Sequence, residues 1–397
     1  MTKPMKQHLI DPEICIRCYT CEMTCPINAI EHNDDNVVVN PDICNHCMDC
    51  IPVCPTGSID EWRIVAEPYS LDDQYEWDEL PEQEEIEVEA GSGDSLEALD
   101  DQIAALLEKA HSGAGGATKA PAAASKPTVG LYTPAKPAKA VVQGNYRLTG
   151  EGADADIRHI ILSLGDQHFP ILEGQSVGVV PPGEKEGGGA HHPRLYSVSS
   201  PRDGERPLTN NLALTVKRED RGVASNYLCD LEKGAEVNLL GPFGSTFLMP
   251  NDVDAKLVMI CTGTGSAPFR GFTMRRQRDK DAGAGNLALF FGARTPESLP
   301  YFGPLGKVPG AFLAKHFAFS RVPGEDKQYV QDKMREDHVA LAEAMQDPKA
   351  HFYVCGLKAM DDGVEQAFED IARKHRLDWA SIRATLREEG RYHIETY

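Results

Sequence analysis

Cysteine places the tightest limit on what this chain can fold into. Two runs of Cys-x-x-Cys-x-x-Cys-x-x-x-Cys-Pro stand 29 residues apart near its start: Cys15, Cys18, Cys21, Cys25 and Pro26, then Cys44, Cys47, Cys50, Cys54 and Pro55. A four-iron cube needs four thiolates converging on one point, and this spacing supplies three from a tight loop while the fourth serves the neighbouring cluster. Cys15, Cys18, Cys21 and Cys54 then hold one [4Fe-4S] cluster, and Cys44, Cys47, Cys50 and Cys25 the other. A disulfide framework belongs to small secreted domains, and zinc is satisfied by four ligands in two pairs, so neither calls for a duplicated four-ligand run. The chemistry implied is one-electron transfer.

Around these runs, residues 7–65 resemble a bacterial-type two-cluster ferredoxin, each half repeating an Asp and Pro ahead of its loop and Ile-Asn-Ala-Ile or Thr-Gly-Ser-Ile behind it. So small a domain, drawn as residues 1–65, buries little core, and its clusters would supply much of the folding energy. Ile16, Ile30, Val37, Val39, Ile43, Ile51 and Ile59 are expected to pack around the cubes.

The remaining length calls for more than one further domain. No apolar run reaches the roughly 18–20 residues of a membrane span, and the polar first residues lack a signal-peptide core. With eight thiolates assigned to clusters, a reducing cytoplasmic setting is expected. The net charge of −21 is concentrated: residues 66–101 hold 15 Asp or Glu and no Lys or Arg. Such a block is a solvated stretch or an acidic face that steers a basic partner, and it argues against nucleic acid. Within it, Asp94-Ser95 caps a helix expected to run to about Ala110, with Leu96, Leu99, Ile103, Leu106 and Leu107 on one face that must bury against something, most simply the chain's own domains. Residues 112–140, rich in Ala, Gly and Pro, read as a flexible tether.

From 141 to 250, short apolar runs (His159–Leu164, Ser176–Val180, Leu212–Lys217, Glu236–Leu240) punctuated by Gly and Pro predict an antiparallel barrel. From 251 to 397, runs at Leu257–Cys261, Leu287–Ala293, Ala311–Ser320 and His351–Cys355 alternate with helical stretches and predict a doubly wound parallel α/β sheet. The fold class expected is therefore multidomain, α+β and α/β. In the barrel, Arg194-Leu195-Tyr196-Ser197 sets an aromatic and a cation beside a hydroxyl, and Gly222-Val223-Ala224-Ser225 opens a short helix whose free amides suit a phosphate. In the α/β half, Thr262-Gly263-Thr264-Gly265 follows a strand and precedes a helix with Pro268 in its first turn, which suits a pyrophosphate. His191 and His192 read as loop residues, and Cys229 and Cys261 as packing.

In this order and context, residues 141–397 resemble the plant-type ferredoxin–NADP reductase family. The resemblance implies FAD, with Tyr196 and Tyr397 on opposite faces of its ring system, Arg194, Ser225 and the amides of Gly222, Val223 and Ala224 on its pyrophosphate, and Ser197 beside its reactive nitrogen. It implies NADP(H) on Thr262, Gly263, Thr264 and Gly265, with Ser320, Arg321, Lys327, Tyr329 and Gln331 around the ribose phosphate and adenine. Cys355, Gly356 and Leu357 would meet the nicotinamide. Ser197, Cys355, Glu395 and Tyr397 would form the hydride-transfer site, Tyr397 also acting as a gate. Where the family often has Cys, this chain has Ala224.

Ferredoxin, acidic tract, linker and reductase in this order resemble the reductase components of two-component bacterial oxygenases that epoxidise benzoyl-CoA. The implied partner is an oxygenase docking on the ferredoxin domain and acidic tract. The alternative is a ferredoxin–NADP reductase-type module of another redox complex, running toward NADP reduction.

Overall fold

The computed structural model describes residues 5–45, 49–51, 53–65, 67–81, 102–103, 105–110, 119–150, 152–184, 191–279 and 285–397. Cys47 and most of the acidic tract lie outside these residues.

The first domain pairs β1 (Met5–Ile10) antiparallel with β4 (Ile59–Val65), and β2 (Ile30–His32) with β3 (Val37–Val39), around helix α1 (Thr20–Thr24). Ile30, Val37, Val39, Ile51 and Ile59 are buried together with Cys21 and Cys50, as expected. Ile16 and Ile43 are not: they are 63% and 47% exposed. Each flanks a cysteine, Cys15 or Cys44, that packs against this cluster, and a loop that turns one side chain inward turns its neighbour outward. The packed chain also runs past residue 65. Ser70 caps α2 (Leu71–Tyr75) in a reciprocal box with Asp73, which satisfies amides the helix start leaves free. Gln74 donates to Val39 O at 3.0 Å, Asn36 Nδ2 donates to Trp77 O at 2.7 Å, and Arg63 donates to Pro81 O at 2.6 Å. Six acidic residues between Glu67 and Glu79 therefore belong to folded chain.

Residues 102–103 and 105–110 are helical (α3), within the span expected for the linker helix. Beyond them, the tract expected as a tether is packed from residue 119 onward. Ser125 is 2% exposed: its hydroxyl accepts from Arg202 Nη1 at 2.9 Å and from Asn251 Nδ2 at 3.0 Å, while Asn251 N donates to Ala123 O at 2.9 Å. Arg202 in turn contacts Glu173 at 2.6 Å, both side chains fully enclosed. Small residues let this strip lie flat between domains: a Cβ on Gly390 would meet Ala120 O at 2.3 Å.

The second domain is a six-stranded antiparallel sheet of β5 (Ala138–Arg147), β6 (Ile157–Ser163), β7 (Ser176–Val179), β8 (Arg194–Ser197), β9 (Asn211–Lys217) and β10 (Glu236–Phe243), in the order β8-β7-β10-β5-β6-β9. A bridge between Val198 and Leu214 joins the two edge strands and closes it into a barrel, which removes the exposed edges an open sheet would leave. Helix α4 (Val223–Asp230) plugs one end, with Leu228 and Cys229 in the barrel core.

The third domain orders its parallel strands β13-β12-β11-β14-β15: β11 (Lys256–Thr262), β12 (Leu287–Ala293), β13 (Leu313–Phe319), β14 (Ala350–Gly356) and β15 (Tyr392–Thr396). Helices α5 (Ser266–Arg278), α6 (Phe302–Lys307), α7 (Val330–Glu336), α8 (His338–Gln346), α9 (Asp361–Lys374) and α10 (Trp379–Glu388) connect them. Separate apolar clusters fill the two faces of the sheet, one including Cys261. Strand order reverses between β11 and β14, and a crevice at the carboxyl ends of such strands is where open α/β sheets bind ligands.

A buried polar knot joins barrel to sheet. Arg270 on α5 donates to both Glu205 oxygens, at 2.6 and 2.9 Å, and to Ser199 O at 2.8 Å, and His159 lies 3.3 Å from Glu205. Burial pushes the Glu205 carboxyl up, but hydrogen bonds from His159 and Arg270 outweigh it and hold it down at about 2. A carboxylate with a depressed folded-state pKa stabilises the fold above its unfolded value near 4.3 and loses that contribution as pH falls toward 2. Glu205→Gln is expected to cost about 3 kcal/mol at pH 7. Thermal unfolding of both proteins from pH 7 to pH 3 should show the gap narrowing only below about pH 4.3; a gap independent of pH would exclude this role.

Candidate functional site

Two cavities meet where the barrel faces the carboxyl ends of β11 and β14. The larger, about 550 Å³, is lined by Arg194, Tyr196 and Ser197 of β8, by Gly222, Val223, Ala224 and Ser225 at the start of α4, and by Cys355, Glu395 and Tyr397 from the sheet. Every residue expected around the flavin is brought together here. The second, about 440 Å³, lies over the sheet and is lined by Thr262, Gly263, Thr264, Ser320, Tyr329, Gln331 and Leu357. Lys217, Glu219, Thr264 and Tyr397 line both.

Local structure explains the placement. Gly222 precedes α4 as its cap and no side chain caps the helix, which leaves first-turn amides open to an acceptor. The Ser225 hydroxyl donates to Gly222 O at 3.1 Å and accepts from Glu219 N at 3.2 Å, so it also fastens the loop. Arg194 Nη1 donates to Pro193 O at 3.0 Å and its side chain borders the cavity. Burial raises the Tyr196 phenol well above its ordinary pKa, keeping it neutral.

The loop after β11 forms a 3₁₀ turn at Gly263–Gly265 leading directly into α5. Gly265 lies beneath the cavity rather than on it: a Cβ there would meet Cys355 O at 2.1 Å, so only glycine lets β14 approach. Gly356, with φ +145°, faces Thr262 in the same way. Cys355 pairs in register with both Cys261 and Glu395. Burial, reinforced by the Glu395 charge, holds its thiol well above the ordinary range and therefore protonated. Tyr397 is pinned by its backbone, with Tyr397 N donating to Gly356 O at 3.0 Å and Lys358 N donating to Tyr397 O at 3.2 Å; its hydroxyl meets Thr264 Oγ1.

Two residues expected at the ribose phosphate stand off the cavity wall. Lys327 is exposed, and Arg321, with a side chain 60% exposed, lies 4.0 Å from Asp154. Arg294, which carried no motif, lines the cavity and pairs with Asp154 at 3.2 Å. Lys217 and Glu219 were also missed; their position just ahead of the Gly222 turn was the available signal. His191 and His192 are loop residues that border the larger cavity.

In the first domain, the Cys21 thiol is pushed up to about 12 by burial, with the charges of Cys54, Cys15 and Cys18 adding to it. Cys15, Cys21 and Cys54 pack together, while Cys18 is exposed and takes a hydrogen bond from Thr20. Cys25, Cys44 and Cys50 line one small space with Ile30 and Val39, bringing together the second set as far as it is described. Among the described residues, no three His, Cys, Asp or Glu are set to grip a single metal ion. Cys15, Cys21, Cys25, Cys44, Cys50 and Cys54 gather about one apolar cluster, and soft thiolates are the donor set an iron–sulfur group takes.

Residues 14–58 match the family model described as a 4Fe-4S dicluster domain, and residues 259–366 match the oxidoreductase NAD-binding domain. The chain is 38% identical over 286 residues to the cyanelle ferredoxin–NADP reductase of Cyanophora paradoxa, covering 67% of this chain and 78% of that one. It is 35% identical to the ferredoxin–NADP reductase of Spirulina sp. over 68% of this chain and 98% of the relative, and 35% identical to the chloroplastic enzyme of Spinacia oleracea over 68% and 78%. The solved ferredoxin–NADP+ reductase of Plasmodium falciparum superposes with a TM-score of 0.55 at 22% identity, over 68% of this chain and all of that one, which shows the shared fold. Fold and matches together define an NADP-dependent oxidoreductase preceded by a 4Fe-4S dicluster domain. The chain belongs to the ferredoxin–NADP reductase family.

Proposed function

We propose that this chain moves electrons between NADP(H), FAD and two [4Fe-4S] clusters, and delivers them from NADPH to a separate oxygenase. The observation that carries the reading is one cavity lined by Ser197, Cys355, Glu395 and Tyr397, which meets the nucleotide cavity at Tyr397. FAD bound there would supply the conversion between the two-electron chemistry of NADPH and the one-electron steps of the clusters. The protein's part is orientation: Tyr196 offers an aromatic face, the α4 amides hold a diphosphate, and Cys355, neutral and enclosed, shapes the nicotinamide end without adding charge. Tyr397 borders both cavities and occupies the approach between them until displaced.

Four thiols per cluster are assigned as Cys15, Cys18, Cys21 with Cys54, and Cys44, Cys47, Cys50 with Cys25. The partner proposed is a benzoyl-CoA-epoxidising oxygenase, supported by the order of ferredoxin, acidic tract and reductase along the chain. Anaerobically purified protein should contain about eight iron and eight sulfide per FAD, and should consume NADPH with the oxygenase only when benzoyl-CoA is present. NADPH consumption by the mixture that ignores benzoyl-CoA would remove the substrate assignment. The relatives' names favour a second reading, in which reduced clusters drive NADP reduction; cluster potentials well below that of the nicotinamide would select it.

Cofactor choice is tested at Arg321. Replacing it with Ala should weaken NADPH binding by about 1.5–3 kcal/mol, the scale of a lost charge-assisted hydrogen bond, and leave NADH unchanged. Equal losses for both would show that Arg321 does not read the phosphate, and Arg294→Ala is the next variant to titrate.

A further inference from the structure

Helix α3 belongs to the linker by sequence and to the flavin cavity by position. Leu106, Leu107 and Ala110 line that cavity beside His191, His192 and Arg194. The Gln102 amide oxygen contacts the His192 ring, which fixes α3 at Gln102 on the loop after β7. Ile103 is 4% exposed, while Glu108 and Lys109 face outward. Of the apolar stripe read in the sequence, Leu106 and Leu107 thus face a binding cavity and Ile103 is buried, while Leu96 and Leu99 lie outside the described residues.

Its location along the cavity is specific. The contact with His192 puts α3 at the Arg194 end of β8, about 10 Å along an extended strand from Ser197. On the reading that FAD occupies this cavity, with its ring system near Ser197 and Cys355 and its diphosphate near Arg194 and Ser225, α3 faces the adenosine half. The helix is also tethered closely on its far side: nine chain steps separate Ala110 from Lys119, at most about 32 Å. The strip beginning there lies against both the ferredoxin domain and the sheet, since Ala120, Ala122 and Ala124 share a cavity with Ile14, Thr56 and Leu80.

We propose that α3 is a built-in wall of the FAD site, supplied by the linker, that encloses the adenosine half of the cofactor and makes its retention depend on the segment joining the two redox modules. Enclosure of most of a ligand's surface is what holds it, and apolar side chains supply most of such walls. Without α3, the adenosine half faces water.

The test uses the full chain stripped of flavin and titrated separately with FAD and with FMN, which lacks the adenosine half. In a Leu106→Asp, Leu107→Asp double variant, the FAD dissociation constant should rise at least tenfold, while that for FMN changes less than twofold and iron content stays at the wild-type level. A milder Leu106→Ala, Leu107→Ala pair should raise the FAD constant about threefold with the same selectivity, and serves if the Asp pair fails to fold. Unchanged FAD affinity in the variants overturns the proposal, as does equal weakening of FAD and FMN, which would mean that α3 only supports the barrel. Failure of the wild-type chain to bind FAD would instead overturn the reading on which the proposal rests.

Discussion

Replacing Cys54 with Ala is expected to halve the iron and sulfide of the purified protein, from about eight to about four atoms of each per chain, and to stop electron transfer into the ferredoxin domain. Cys54 sits in the second cysteine run, yet its charge acts on Cys21 together with those of Cys15 and Cys18. Its sulfur accepts from Ser58 N at 3.3 Å and lies 3.2 Å from Ser58 Oγ, which orients it. Its neighbour Thr56 and Ile14 beside Cys15 share a cavity with the strip that joins the two modules, so a cluster held by the proposed first set would be the one on the reductase side. Losing it should slow reduction of the second cluster by NADPH by two orders of magnitude or more, while small dyes are still reduced at the two cavities between barrel and sheet. Iron and sulfide assays with stopped-flow spectra check both halves. A variant that keeps eight iron atoms, or reduces its remaining cluster at the wild-type rate, would sink the ligand assignment or the electron path.

A reductase fragment beginning at residue 119 should fold and, supplied with excess FAD to offset the loss of α3, reduce dyes with NADPH, whereas one beginning at residue 141 should not fold stably. The later cut removes Ser125, leaving Arg202 and Asn251 without its hydroxyl. It removes Thr128 O, which accepts from Gln175 at 3.0 Å, and Tyr132, whose ring stacks on Phe169 with centroids 5.2 Å apart. It also removes Ala138 and Ala140, buried residues of β5 that pair with Leu239 and Val237. Several buried hydrogen bonds at about 1 kcal/mol each and one large aromatic at about 3 kcal/mol approach the whole stability of a domain, about 5–15 kcal/mol. Soluble yield and circular-dichroism melting of the two fragments decide it, and equal melting temperatures would show that residues 119–140 are an accessory.

The features legible in the sequence are those whose chemistry dictates residue type at short range. Eight cysteines at cluster spacing, a glycine-rich turn between β11 and α5, and apolar runs for β6, β7, β9 and β11 to β14 all needed no knowledge of distant contacts, whereas the packing of Gly265 under β14 did. What escaped depends on partners far along the chain. The Ala and Pro residues after 119 have no apolar bulk and so read as a tether, but their backbone is bonded by Asn251 and Gln175. The acidic residues from Glu67 to Glu79 read as part of a charge block, although Ser70, Gln74 and Trp77 tie them to β3 and Asn36. Ile16 and Ile43 were assigned to the core by type alone, which ignores the direction a ligand loop imposes. Arg294 had no motif around it and enters the nucleotide cavity only through the sheet's topology. Glu395 and Tyr397 were legible only through family resemblance, because nothing local distinguishes them.

The small-residue seam has a consequence for how such a molecule can be recombined. Gly390 meets Ala120 at a distance that leaves no room for a side chain, and Gly57, beside Ala123 and Ala124, holds a left-handed φ of +66° that favours glycine. A ferredoxin head therefore cannot be grafted onto an arbitrary reductase by exchanging sequence at the compositional boundary near residue 140. The strip from 119 to 130 is inherited with the reductase, whose Arg202 and Asn251 hold it, while its other face is cut to fit the head. Chimeras should tolerate a crossover ahead of residue 119 only when the incoming head also carries glycine at the position of Gly57.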